Sequence, residues 1–217
     1  GAVGGAAASR RPVETIAHYV QFTPLCFQAA DPSHESAFLE ALHGAALEAD
    51  AAVRALPTDD WDHGEGGGRG GPATTLTLAV GVWPRVYVLQ VGDSRCYVHG
   101  AGTLRRLTRD QTAAQDLVDR GKMRPSEAAR SPLQHMLTSA IGGHAASPVV
   151  TSVDQVHDSV FLLCSDGLTR HVSDLELAEC LGRISSAEQA CRDLLRLALE
   201  RGGQDNITIV IGRARRN

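Results

Sequence analysis

The chain has 217 residues, 43% of them hydrophobic and 21% charged, with a formal net charge of −4. Those are the proportions of a globular protein with one large domain or two small ones. The acidic balance excludes a nucleic-acid binder built on a basic face, and no apolar run approaches the roughly 20 residues that span a bilayer.

The start, GAVGGAAASRR, is small and flexible, without the charged-then-apolar pattern of a signal peptide. Helical spacing begins at Arg11–Val20 and is stronger over Ser36–Leu56, where Phe38, Leu39, Leu42, Ala46, Leu47 and Val53 recur. Ser33 is its expected cap and Pro57 its expected stop. TDDWDHGEGGGRGGP follows, too polar and glycine-rich to bury anything, and reads as a mobile loop.

Strands come next. Ala73–Val82, Arg85–Val91, Arg95–His99 and Thr103–Leu107 are short, β-branched and separated by tight turns, the mark of an antiparallel meander. Thr112–Ile141 changes to a helical pattern. Val149–Val153 and Ser159–Cys164 return to strand. Asp174–Gly182 and Ser186–Arg201 read as helices, and Asn206–Arg213 as a last strand. Strands in groups, not alternating strictly with helices, indicate packed antiparallel sheets covered by helices in one layered α+β domain, residues 1–217.

The cysteines, Cys26, Cys96, Cys164, Cys180 and Cys191, are odd in number and widely spaced, without a C-x-x-C pair. They imply buried thiols in a reducing compartment, and a cytoplasmic protein is expected. The nine histidines contain no H-E-x-x-H.

Three aspartates share a context. Asp93 lies in VGDSR between two strands, Asp166 in SDG after the apolar run VFLLC, and Asp205 in GGQDN before the last strand. A carboxylate at the end of a buried strand needs a partner or a metal. If the strands are neighbours, the carboxylates converge, and converging carboxylates repel unless a cation bridges them. Oxygen ligands with no Cys or His pairs nearby suit Mg²⁺ or Mn²⁺. Taken singly, each aspartate fits an ordinary turn.

VGDSRCYVHGAGTLRRLTRDQT, VFLLCSDGLTRHVSD and GGQDNITIVI together resemble the PP2C (PPM) family of metal-dependent protein serine/threonine phosphatases, bacterial type. LVDRGKMRPSEAARSPLQHMLTSAIGG is similar to that family's flap, here about residues 109–142. The resemblance implies a four-layer α/β/β/α sandwich of two antiparallel sheets flanked by helices. It implies two Mn²⁺ or Mg²⁺ ions at Asp166 and Asp205, with a third, weaker site shared by Asp93. Asn206, Gly167 and Ser165 would support these ligands. No side chain would serve as nucleophile, because a metal-activated water hydrolyses phosphoserine or phosphothreonine on a protein. The expected partner is a phosphorylated protein, with no nucleic acid or membrane, and the protein is expected to be a monomer. Gly1 and Ala2 stand where the family has the Asp and Gly of its D-G-x-G-G metal turn, and the strands before that turn are missing. The expectation is therefore an enzyme whose opening segment lies upstream, with these 217 residues alone binding at most one ion tightly and turning over negligibly. The alternative is a catalytically dead pseudophosphatase that binds phosphoproteins or serves as a scaffold.

Overall fold

Among the described residues, seven strands form where short β-branched runs alternate with turns. In the computed structural model, which describes residues 5–22, 32–56, 72–82, 84–154 and 158–213, they make two antiparallel sheets flanked by helices. β1 (Leu76–Val82), β2 (Arg85–Val91) and β5 (Val149–Asp154) form one sheet in the order β1-β2-β5. β3 (Arg95–Gly100), β4 (Thr103–Arg106), β6 (Val160–Cys164) and β7 (Ile209–Arg213) form the other, in the order β4-β3-β6-β7. The helices are α1 (Gly5–Phe22), α2 (Pro32–Arg54), α3 (Ala113–Asp119), α4 (Pro125–Ala128), a 3₁₀ turn (Pro132–His135), α5 (Asp166–Thr169), α6 (Asp174–Gly182) and α7 (Ala187–Glu200). The chain divides into two compact units. One comprises the residues up to Leu76 with Leu89–Asp93 and Asp110–Val150. The other comprises Thr77–Val88, Ser94–Arg109 and the residues from Thr151 onward.

The second unit holds β3, β4, β6 and β7 and most of β1, β2 and β5. β6 is apolar throughout because it is buried on both faces. Phe161 and Leu163 pack toward Val86, Val88 and Cys96 between the sheets. Val160, Leu162 and Cys164 face the helices, against Leu168, Leu177, Leu181 and Leu194. An unbroken apolar run is the expected reading of such a strand. α7 meets this core through Ala190, Leu194 and Ala198, spaced one turn apart along one stripe. Ser186 and Ser173 cap α7 and α6, each accepting a hydrogen bond from a backbone N–H in the first turn. β1 and β7 are edge strands. A groove of about 440 Å³ lies between them, lined by Leu78, Gly81, Val210 and Gly212, with Phe161 and Leu163 beneath.

In the first unit, α1 packs on α2. α2 buries Phe38, Leu42, Ala45, Ala46, Ala49 and Val53. Leu47, expected on this stripe, is 44% exposed because it falls off the 3.6-residue period. Helix α2 is already running at Pro32, one residue ahead of the expected cap position Ser33. At its other end α2 stops at Arg54, before Pro57 is reached. Asp50 accepts a hydrogen bond from the backbone N–H of Gly142 at 2.6 Å, tying the end of the flap to this helix.

The flap differs most from expectation. The helical pattern over Thr112–Ile141 yields only α3, the four-residue α4 and a single 3₁₀ turn. Pro125 and Pro132 each start a helix and cannot continue one. The glycine-rich stretch 58–71, Cys26 and the positions Gly1 and Ala2 lie outside the described residues. Among the described residues, no helix is long and apolar enough to cross a membrane. The described cysteines are all free thiols, and burial pushes the Cys96 thiol up to about 12.

Candidate metal-binding site

Strand pairing decides which aspartates meet. β6 and β7 run antiparallel with Cys164 opposite Ile209, so the residues leaving β6 and those entering β7 share one sheet end. Ser165 fastens them. Its backbone N–H donates to the Thr208 carbonyl at 3.1 Å. Its Oγ donates to the Asn206 carbonyl at 2.9 Å and accepts from the Thr208 N–H at 3.0 Å. Gly167 follows because nothing larger fits. A Cβ there would stand 2.4 Å from the Asn206 carbonyl oxygen. The S-D-G and D-N sequences are thus two halves of one backbone contact.

Asp166 opens the one-turn helix α5, with Ser165 at its N-cap. Asp205 is oriented by the next residue in the chain, whose backbone N–H donates to its Oδ1 at 2.8 Å. Asn206 thus contacts Asp205 through its main chain. The two carboxylates converge on one cation. The Arg170 guanidinium donates through Nη1 to Asp205 Oδ2 at 2.9 Å and through Nη2 to Asp166 Oδ2. Asp166 needs the partner its position demands, and that partner is supplied one turn along the same helix. All three side chains are about one-third exposed, at 34% for Arg170, 28% for Asp166 and 40% for Asp205.

Asp93 sits in the first unit, in the turn after β2. There Gly92 adopts φ +103°, and a Cβ would stand 2.4 Å from Thr75 Cγ2. Gln111 holds the turn. Its Oε1 accepts from the Gly92 N–H at 2.6 Å, and its own N–H donates to the Gly92 carbonyl at 3.1 Å. Its Nε2 donates to the Ser147 carbonyl at 2.8 Å. Among the described residues, no group of three or more His, Cys, Asp or Glu side chains gathers in one place. Asp166 and Asp205 stand as a pair.

A pair of carboxylates aimed at one positive group fits a hard divalent cation in ligand type and in charge. Cys164 is 3% exposed and packs in the core, so it presents no nucleophile. Sequence reasoning missed Arg170 and Gln111. The first was visible only as an i,i+4 neighbour of Asp166, and the second lay inside the quoted RDQT without a role.

No family model matches the chain. The fold and the sequence do match solved structures. The crystal structure of the Mycobacterium tuberculosis serine/threonine phosphatase PstP/Ppp is 30% identical, over 98% of this chain and 83% of that one, with a TM-score of 0.81. The chain belongs to the PP2C (PPM) family of serine/threonine phosphatases. Among its PP2C relatives, PstP of Mycobacterium tuberculosis strain H37Rv is 40% identical over 141 residues, which are 65% of this chain and 27% of that protein. The serine/threonine phosphatase stp of Listeria welshimeri is 34% identical over 143 residues, 65% of this chain and 56% of that one. The chain thus spans about a quarter to about half of the length of these relatives. The PstP catalytic domain in complex with two manganese ions aligns with 97% of this chain and 82% of that one, at 30% identity and a TM-score of 0.77.

Proposed function

We propose that this PP2C-family chain hydrolyses phosphoserine and phosphothreonine on proteins, using Mn²⁺ or Mg²⁺ held by Asp166 and Asp205. The observation that carries the reading is the pair itself: two carboxylates from separate chain segments, locked together through Ser165 and Gly167, face a single positive group. The relatives support it, being named serine/threonine phosphatases, one of them solved with two manganese ions.

The chemistry supplied at such a site is that of a hard Lewis acid, which acidifies water and offsets charge on phosphoryl oxygens. The chain's own residues do the positioning. Ser165 sets the spacing between the two segments, Gly167 permits their close approach, and the Asn206 N–H aims Asp205. Asp93 is assigned to a third, weaker cation site, in a turn made rigid by Gln111. Substrate choice is assigned to the flap, where Met136 is 57% and Leu137 41% exposed.

The test is hydrolysis of a phosphothreonine peptide by the full-length protein with Mn²⁺, with Mg²⁺ and after exhaustive EDTA treatment. Turnover that needs the cation and returns on its readdition is the expected result. Turnover undiminished by EDTA overturns the reading.

A further inference from the structure

The Arg170 guanidinium donates to Oδ2 of Asp166 and Oδ2 of Asp205, the two carboxylates that would hold a cation. Its place is fixed by local structure. α5 is a single turn, and Arg170 caps it, its own N–H donating back to the Asp166 carbonyl at 2.9 Å. The i,i+4 relation to Asp166 then brings its fork alongside that carboxylate, and the β6–β7 register delivers Asp205 to the other arm. Two carboxylates at this spacing repel when no cation lies between them. The fork neutralises half of their charge and bonds each one separately.

We infer that Arg170 is a built-in counter-ion: it holds the carboxylate pair assembled before metal arrives, and it competes with Mn²⁺ for the same two carboxylates. The inference rests on the metal-site reading above and adds a residue that tunes metal affinity by competition. A guanidinium and a divalent ion compete for those carboxylates, because both are positive and repel each other at close range. Arg170 therefore stabilises the metal-free form and weakens metal binding by the same free energy. The groups are partly exposed, so solvent screens the pairs and the effect is modest.

The experiment measures Mn²⁺ affinity by calorimetry and metal-free melting temperature by circular dichroism, on the full-length protein and on Arg170→Gln, Arg170→Lys, Asp166→Asn and Asp205→Asn. Arg170→Gln should bind the Mn²⁺ held by this pair about threefold to tenfold more tightly and melt at a lower temperature without metal. Arg170→Lys, which keeps the charge but loses the fork, should fall between Gln and the original. Either aspartate variant should lose that binding event. If the aspartate variants lose it but Arg170→Gln leaves the affinity unchanged or weaker, Arg170 is not a competitor, and this inference falls while the metal site stands. If both aspartate variants bind Mn²⁺ like the original, the site reading fails and the inference goes with it.

Discussion

At the scale of single residues, the site is a backbone contact that carries two carboxylates. Gly167 shows how little slack it has. Gly167→Ala would set a methyl group 2.4 Å from the Asn206 carbonyl, so the two segments must separate. We expect a stability loss of about 1–3 kcal/mol in thermal melts. Activity should fall further than the melting temperature suggests, because Asp166 and Asp205 move apart. A variant with unchanged activity would mean that their spacing is unimportant. Asp166→Asn and Asp205→Asn keep shape and remove charge, and each should cut turnover by orders of magnitude while the circular dichroism spectrum stays the same. Near-normal turnover at saturating Mn²⁺ would remove that residue from the ligand set. Asp166 stood out in the sequence because a carboxylate just beyond an apolar strand needs an explanation, and Asp205 because it follows Gly202-Gly203 just before the last strand in a stretch that resembles the family. Arg170 did not, because an arginine four residues after an aspartate is ordinary until the β6–β7 register brings Asp205 to its other side.

At the scale of elements, α6 begins where two kinds of local signal agree. Ser173 and Glu176 form a capping box, each side chain taking the other's backbone N–H. Arg201, just past the end of α7, donates through Nη1 to Glu176 Oε2 at 3.0 Å and to the His171 carbonyl at 2.6 Å. The Glu176 carboxyl is held down to about 2, first by the Arg201 guanidinium and then by the backbone and hydroxyl of Ser173. Because its pKa is lowered on folding, its stabilisation is present above the ordinary carboxylate value of 4.5 and is lost as pH falls toward about 2. Glu176→Gln keeps the capping box and loses the charge opposite Arg201, so it should lower the melting temperature at pH 7 by at most a few degrees, with the gap to the original closing in acid. A gap that persists near pH 2 would mean that packing, not charge, is lost. Helices α6 and α7 were readable to within a residue because their serine caps and apolar stripes agree. The flap was not, because apolar spacing over residues 125–137 imitates a helix while Pro125 and Pro132 cut it into single turns.

At the scale of the molecule, the layered α+β class was readable from strand grouping, since short strands in clusters have few ways to bury both faces of β6. The division into two compact units was not. Three of its boundaries fall inside strands, between Leu76 and Thr77 in β1, between Val88 and Leu89 in β2 and between Val150 and Thr151 in β5, where no linker composition marks them. Metal binding joins the site to the stability of the fold around it. Asp166 leaves the core strand β6, and Asp205 precedes β7, its partner. A cation bound there and absent from the unfolded chain stabilises the folded form by mass action, by about 2.7 kcal/mol at a hundred times its dissociation constant. For a chain of this length that corresponds to a rise of roughly 5–10 °C in melting temperature. We expect Mn²⁺ to produce this rise, EDTA to reverse it, and Asp166→Asn to abolish most of it. These melts report binding without reference to turnover, so they separate a metal that is bound from one that is only needed for catalysis. A melting temperature unmoved by Mn²⁺ at concentrations that support activity would place the ion elsewhere than at the end of β6.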